Sequence, residues 1–201
     1  EVKFINDNRF GKVLSLSGES NSFITLPEET FTDLESISIS GWIYLRSDQS
    51  GQRFFDFGKD ASKNFFIAPI GNNTKKGYLA SITAEKGNKS DAFSLPIELN
   101  KWVYLAIVVD VNSKSLTTYI NGKSVGEVKD VQVDLTSILG KQSGNKKSFY
   151  IGKSLLAGDP NLNAMIHDFR IYRVALSKTQ IAGIYSNSLN GNQESTVNVV
   201  K

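Results

Sequence analysis

The sequence predicts an all-β protein, a two-sheet antiparallel sandwich with one short C-terminal helix. Three observations predict it. Apolar residues recur with a period of two, most clearly over residues 37–45 and 102–110. Glycines and polar clusters separate short strand-like segments at roughly the 8–12-residue spacing of sandwiches. Only one stretch, near the C-terminus, carries a helical period.

Taken in order, residues 13–16 and 22–26 read as the first short strands. In 37–45, Ile37, Ile39, Ile43 and Leu45 share one face, and Ser38, Ser40, Trp42 and Tyr44 share the other. An apolar face opposite a mixed polar-aromatic one suits a sheet covered on one side. Residues 53–57, 65–67 and 77–83 follow as strands. The segment 102–110 is apolar on both faces, which makes it a central strand and puts Trp102, like Trp42, in the core. Residues 111–114 form a turn, and a strand runs from Leu116 to Asn121. Asn121 and Gly122 then tolerate the positive φ angles of a tight hairpin, so residues 125–128 return beside it. Strands at 149–152 and 165–172 complete the set. After a bend at 173–175, Ser177 caps a helix over 177–186, and Gln180 completes a capping box. Ile181, Ile184 and Tyr185 give that helix its apolar stripe. Residues 141–147 read as a polar loop. Residues 1–186 form one domain, and 187–201, rich in Asn and Ser, form a flexible tail.

Composition narrows the function classes. Over 201 residues, an apolar fraction of 40% and a charged fraction of 21% describe an ordinary globular chain with a sizeable core. No apolar run approaches the ~18 residues of a membrane span, so no membrane insertion is expected. The chain starts at Glu1 without Met, as after removal of a leader. The net charge of +3, from 23 basic and 20 acidic residues, is too small to imply nucleic acid. The pairs Lys75–Lys76 and Lys146–Lys147 read as solvated loop charges. With no cysteine there is no disulfide, thiol nucleophile or Cys-zinc site. A single histidine, His167, rules out a multi-histidine metal site within one chain. On a strand it reads as a hydrogen-bonded structural residue.

An ordered series of short motifs adds a resemblance. It runs through LSLSG at 14–18, SFITLP at 22–27, ISISGWI at 37–43 and FDFG at 55–58. It continues through 102–110, LTTYING at 116–122, SFYIG at 148–152 and the strand-to-helix segment 166–185. In this order, over about residues 13–185, the chain resembles a laminin G-like domain of the concanavalin A-like lectin/glucanase superfamily. The resemblance implies a jelly roll of two antiparallel sheets, one of them concave. It implies a scaffold that grips glycans or partner proteins. It also implies an exported protein, placed outside the cell, at its surface or in the periplasm. Many relatives hold a structural calcium, with an acidic residue or Asn before the early glycine and an Asp in the late strand. Here those positions carry Ser17 and His167, and Asp168 lies one place on, toward the opposite face. Asp7 and Asp159 read as turn residues rather than as replacement ligands. No metal or other cofactor is therefore expected, and the His167 imidazole is expected to bond loop carbonyls in the ion's place.

Catalysis is not expected. Retaining glucanases of this superfamily carry paired carboxylates at alternate positions of one strand. Glu28, Glu29, Asp33 and Glu35 lie instead in a turn-like stretch after Pro27. No nucleophile elbow, phosphate loop or His-Glu zinc motif is present. Sugar binding needs an aromatic platform beside planar polar groups. The predicted ligand-binding residues are Arg53, Asp60, Asn64, Phe65, Tyr78 and Phe93, and of the neighbours Phe65 and Phe66 one must face inward. The sequence reading is a non-catalytic carbohydrate-binding module of an exported bacterial cell-surface or polysaccharide-utilisation protein, with a glycan as partner. The rival readings are a protein–protein adhesion module and an accessory domain of a glycoside hydrolase.

Overall fold

The computed structural model describes residues 1–32, 34–71, 77–84, 87–140, 146–189 and 198–200, the last three as backbone. The alternating segments become β1 (Val2–Asp7), β2 (Gly11–Ser17), β3 (Ile24–Thr25), β4 (Ile37–Leu45), β5 (Phe55–Asp60), β6 (Lys63–Ala68) and β7 (Leu79–Thr83). They continue as β8 (Lys89–Phe93), β9 (Trp102–Asp110), β10 (Ser115–Ile120) and β11 (Lys123–Val128). After α1 (Leu135–Leu139) come β12 (Ser148–Ile151), β13 (Asn163–Tyr172), α2 (Lys178–Ser188) and β14 (Asn198–Val200). One antiparallel sheet runs β1-β2-β13-β4-β9-β10-β11, and the other runs β3-β12-β5-β6-β7-β8.

The period of two explains the layers. Ile37, Ile39, Ile43 and Leu45 of β4 meet Phe55, Phe57, Phe65 and Ile67 of β5 and β6 in the core between the sheets. Strand β9 lies between β4 and β10, and Val103 to Val109 are all buried, as a strand apolar on both faces requires. Its second face is covered from outside. Trp42, Tyr104, Tyr119 and Tyr172 form another apolar layer with Phe10 and with Ile181 of α2. The β4 sheet is therefore covered on both sides, not on one. The Ser38 hydroxyl helps to close the second side, donating to the Val174 carbonyl (2.7 Å) and accepting from the Leu176 N–H (2.9 Å). Helix α2 begins with the capping box expected of Ser177 and Gln180. The Trp42 indole donates to the Ser188 hydroxyl at its far end (3.0 Å).

Asn121 (φ 49°) and Gly122 (φ 76°) make the β10–β11 hairpin turn. Other features depart from the sequence reading. Strands β1 and β8 were not anticipated, because their burial does not alternate as a core strand's does. The stretch after Pro27 is a 3-10 turn over Glu28–Phe31, with Phe31 buried. Helix α1 starts at Asp134, whose side chain accepts from the Ser137 N–H. It ends on Lys147, whose ammonium donates to the carbonyls of Thr136 (3.4 Å), Ser137 (2.9 Å) and Gly140. Lys147 is thus a buried helix cap rather than a solvated loop charge. Lys75, Lys76, Asp33 and residues 141–145 lie outside the described residues. Helix α2 continues to Ser188, past the expected start of the tail at Asn187, and β14 pairs in parallel with Arg170 to Tyr172 of β13. No helix among the described residues is long and apolar enough to cross a membrane.

Candidate functional site

The larger sheet is closed on its outer side by α2, whereas the outer face of the six-stranded sheet carries polar residues, several of them buried. Strand register lines its residues up in rows. Thr25, Tyr150, Asp56, Phe66, Ser81 and Asp91 stand side by side, each on a successive strand. Gly58, Asn64, Thr83 and Lys89 form a second row. These residues alternate with the inward Phe55, Phe57, Phe65 and Ile67, which is why a polar face backs an aromatic core.

Arg53 organises one end of this face. Its guanidinium lies over the Phe66 ring at 4.2 Å from the centroid. It pairs with Asp159 at 2.9 Å and with Asp56 at 3.6 Å. Asp56 accepts from the Asn64 amide (3.0 Å), the Leu155 N–H (2.9 Å) and the Ser154 hydroxyl (3.5 Å). Ser154 donates also to Asp159 (2.8 Å). Burial pushes the Asp56 carboxyl up to about 6, against the pull of the Leu155 N–H, Arg53, Asn64 and Ser154. This network fastens residues 153–161 to β5. Between that segment and the sheet opens a pocket of about 470 Å³, lined among others by Lys59, Ser148, Tyr150, Lys153, Asp159 and Asn161. Further along the face, Asn64 Oδ1, Ser81 Oγ and Asp91 Oδ1 have no hydrogen-bond partner among the described residues.

The predicted site residues divide. Arg53, Asn64 and Phe93 do lie on this face, but Arg53 and Asn64 are nearly buried and engaged with Asp56. Phe93 packs on Phe66, Ala68 and Leu79. Phe65 is a correction: it points into the core with no exposed surface, and Phe66 takes the outer position. Tyr78 is another. It is fully buried in the core, where its hydroxyl donates to the Ala106 carbonyl (3.2 Å). Asp60 is taken up in the β5–β6 turn, accepting from the Ser62 N–H and hydroxyl. Sequence reasoning missed Asp56, Tyr150 and Lys153. Period two held the signal for the first two, since Phe55 and Phe57 flank Asp56, and Phe149 and Ile151 flank Tyr150.

Ser17 and His167 are not brought together. Ser17 is opposite Asn163 of β13, four residues from His167, so the two are about 13 Å apart along the strand. The Ser17 hydroxyl accepts from the N-terminal ammonium (2.8 Å), and the His167 ring stacks on Phe10 at 4.4 Å. His167 Nδ1 has no partner among the described residues, so the expected bond to a loop carbonyl is not made by that atom. A bulge between His167 and Arg170 breaks the alternation there. Phe169 enters the core, while Asp168 (φ 53°) pairs with the Arg170 guanidinium (2.6 Å). Asp7 accepts from the Arg9 and Phe10 N–H groups and from the Trp102 indole, and Asp159 is held by Arg53. Among the described residues no three acidic, histidine or cysteine side chains cluster as a metal would need.

Comparison with known proteins gives a family and several likenesses of fold. Residues 17–182 match the family model of the concanavalin A-like lectin/glucanases superfamily. No curated protein matches the chain. Among solved structures, the chain is similar to domain 4 of AbnA, a GH43 extracellular arabinanase from Geobacillus stearothermophilus, in complex with arabinotriose. The TM-score is 0.72 at 23% identity, over 92% of this chain and 81% of that one. It is similar also to the Ruminococcus gnavus IT-sialidase CBM40 bound to α2,3 sialyllactose (TM-score 0.64, 14% identity, covering 92% and 96% of the two chains). A third likeness is to a structure of botulinum neurotoxin type C, whose cell entry depends on interaction with two ganglioside molecules. There the TM-score is 0.65 at 20% identity, over 96% of this chain, which spans about half (48%) of the neurotoxin chain.

Proposed function

The chain belongs to the concanavalin A-like lectin/glucanases superfamily, and from that premise we propose that it is a non-catalytic carbohydrate-binding module of an exported protein. The observation that carries this reading is the preorganised pocket beside Tyr150. Its volume falls in the roughly 300–1,000 Å³ range of small-ligand sites. It sets Tyr150 beside the polar side chains of Ser148 and Asn161, the aromatic and polar elements that sugar recognition combines. The neighbours support the reading through the arabinotriose, sialyllactose and gangliosides bound in or by those proteins. The likeness to a domain of an arabinanase favours a place beside a catalytic domain, in a bacterial protein that uses or displays polysaccharide at the cell surface or beyond.

A binding role without catalysis fits the carboxylates. Asp56, the raised one, has no exposed surface, and its oxygens already accept from Asn64, Ser154 and Leu155. Asp159 is neutralised by Arg53. Neither is free to act as the general acid or the nucleophile of glycoside hydrolysis. A glycan microarray followed by titration calorimetry tests the reading. Retention of one glycan class is expected, and Tyr150→Ala should weaken it about tenfold by removing the pocket's aromatic wall. An array with no bound glycan, together with capture of a purified protein partner, would favour the adhesion reading instead.

A further inference from the structure

We propose that the pocket beside Tyr150 receives the anionic group of an acidic glycan, a carboxylate or a sulfate, with Lys59 and Lys153 as its counter-charges. The inference rests on the carbohydrate reading and names the class of sugar. Five features support it together.

Both lysines line the pocket. Neither is ion-paired among the described residues. The carboxylate that also lines it, Asp159, shares Arg53 with Asp56, so the two lysines still leave a net positive charge. Lys153 is held rather than free. Its ammonium lies 4.2 Å from the Phe23 ring centroid and 5.0 Å from that of Tyr150, and the two rings meet edge to face at 5.3 Å. The pocket wall is fixed in advance. Leu155 is bonded to Asp56, Leu156 to Ser154 and the Asn161 amide to the Glu19 carbonyl. A ligand therefore does not have to order this wall on binding. An ammonium group placed on aromatic faces beside a second lysine, in a fixed concave site, is a poor host for another cation and a good one for an anion. A neutral sugar would leave the pocket's net positive charge unanswered. An acidic sugar would answer it while its ring and hydroxyls met Tyr150 and Ser148.

The test is calorimetric titration of the whole chain with matched pairs: sialyllactose against lactose, trigalacturonate against galactotriose, and a sulfated against an unsulfated galactan oligosaccharide. At least one acidic member is expected to bind about tenfold tighter than its neutral counterpart, an advantage of the size two partly exposed ion pairs give. That advantage should shrink as salt is raised. Which pair shows it identifies the group as carboxylate or sulfate. In the double variant Lys59→Gln, Lys153→Gln the acidic-to-neutral ratio should fall toward one. Neutral sugars bound as tightly as their acidic counterparts, or a preference that survives the double variant, overturn this inference and leave the carbohydrate reading intact. Binding of no glycan of either kind overturns both.

Discussion

Arg53 shows how one residue can serve a surface from inside it. Its side chain is nearly buried, yet it covers Phe66 and holds Asp56 and Asp159. Removing it would leave the Asp56 carboxyl buried beside a neutral gap, and breaking a buried pair by deleting one partner costs roughly 3–5 kcal/mol. Arg53→Ala is therefore expected to lower the denaturation midpoint clearly at neutral pH. A loss under about 1 kcal/mol, in the range of exposed pairs, would mean that the cluster is solvated in solution. The same residues show what a sequence reveals at this scale. Arg53, Asn64 and Phe93 could be nominated because their side-chain chemistry suits sugars. Their partners could not, because Asp159 lies 106 residues away from Arg53 in sequence and only the fold brings them together. The choice between Phe65 and Phe66 turned on strand phase, and phase is fixed by the core. Phe65 joins Phe55 and Phe57 there, so Phe66 must face out.

At the scale of elements, what was legible was whatever is amphipathic. Strands β4 and β9 have the bounds their alternation gave, and α2 starts at the expected cap. Edge strands such as β1 and β8 escape because they pair on one side only and few of their side chains are fully buried, leaving little apolar pattern to read. Helix α1 is too short for a helical period to show and depends on Lys147 from a later segment. Two glycines separate local from long-range constraint. Gly122 needs φ 76° for the hairpin, and a Cβ there would come within 2.9 Å of the Tyr185 ring on α2. Gly183 lies within α2, and a Cβ there would meet nothing within 4 Å. Gly122→Ala should therefore destabilise by more than about 1 kcal/mol, because it combines a strained turn with a clash against the helix. Gly183→Ala should stabilise by about 0.5–1 kcal/mol, because it adds helix propensity in open space. Chemical denaturation of the two variants checks both signs. A Gly122→Ala protein as stable as the parent would show that α2 does not rest on that hairpin.

At the scale of the whole molecule, the two outer faces place opposite electrostatic demands on the same fold. On the six-stranded side, burial raises Asp56 to about 6 from an ordinary 3.8. The folded state then holds a proton that the unfolded chain has released. This group's stabilising contribution is complete below about pH 3.8 and is lost as pH rises through about 6, amounting to about 3 kcal/mol over the window. Beside Phe10 on the other sheet, burial lowers His167, against the attraction of Asp168 and Asp7 and with a smaller push from Arg170. The unfolded chain takes up the proton first, so this group stabilises above about pH 6.5 and the benefit is lost as pH falls. Below about pH 6 the two slopes have opposite signs, so each offsets part of the other in the parent protein. The single variants separate them. Asp56→Asn removes the acid-side gain, and stability should then fall steadily below pH 6.5. His167→Gln removes the acid-side loss, and stability should then rise as pH falls from 6 toward 4. Denaturation midpoints measured across this range in all three proteins decide the matter. If Asp56→Asn leaves the parent profile unchanged, then Asp56 is not buried as an acid, and the network that holds the pocket wall in place must be anchored by another group.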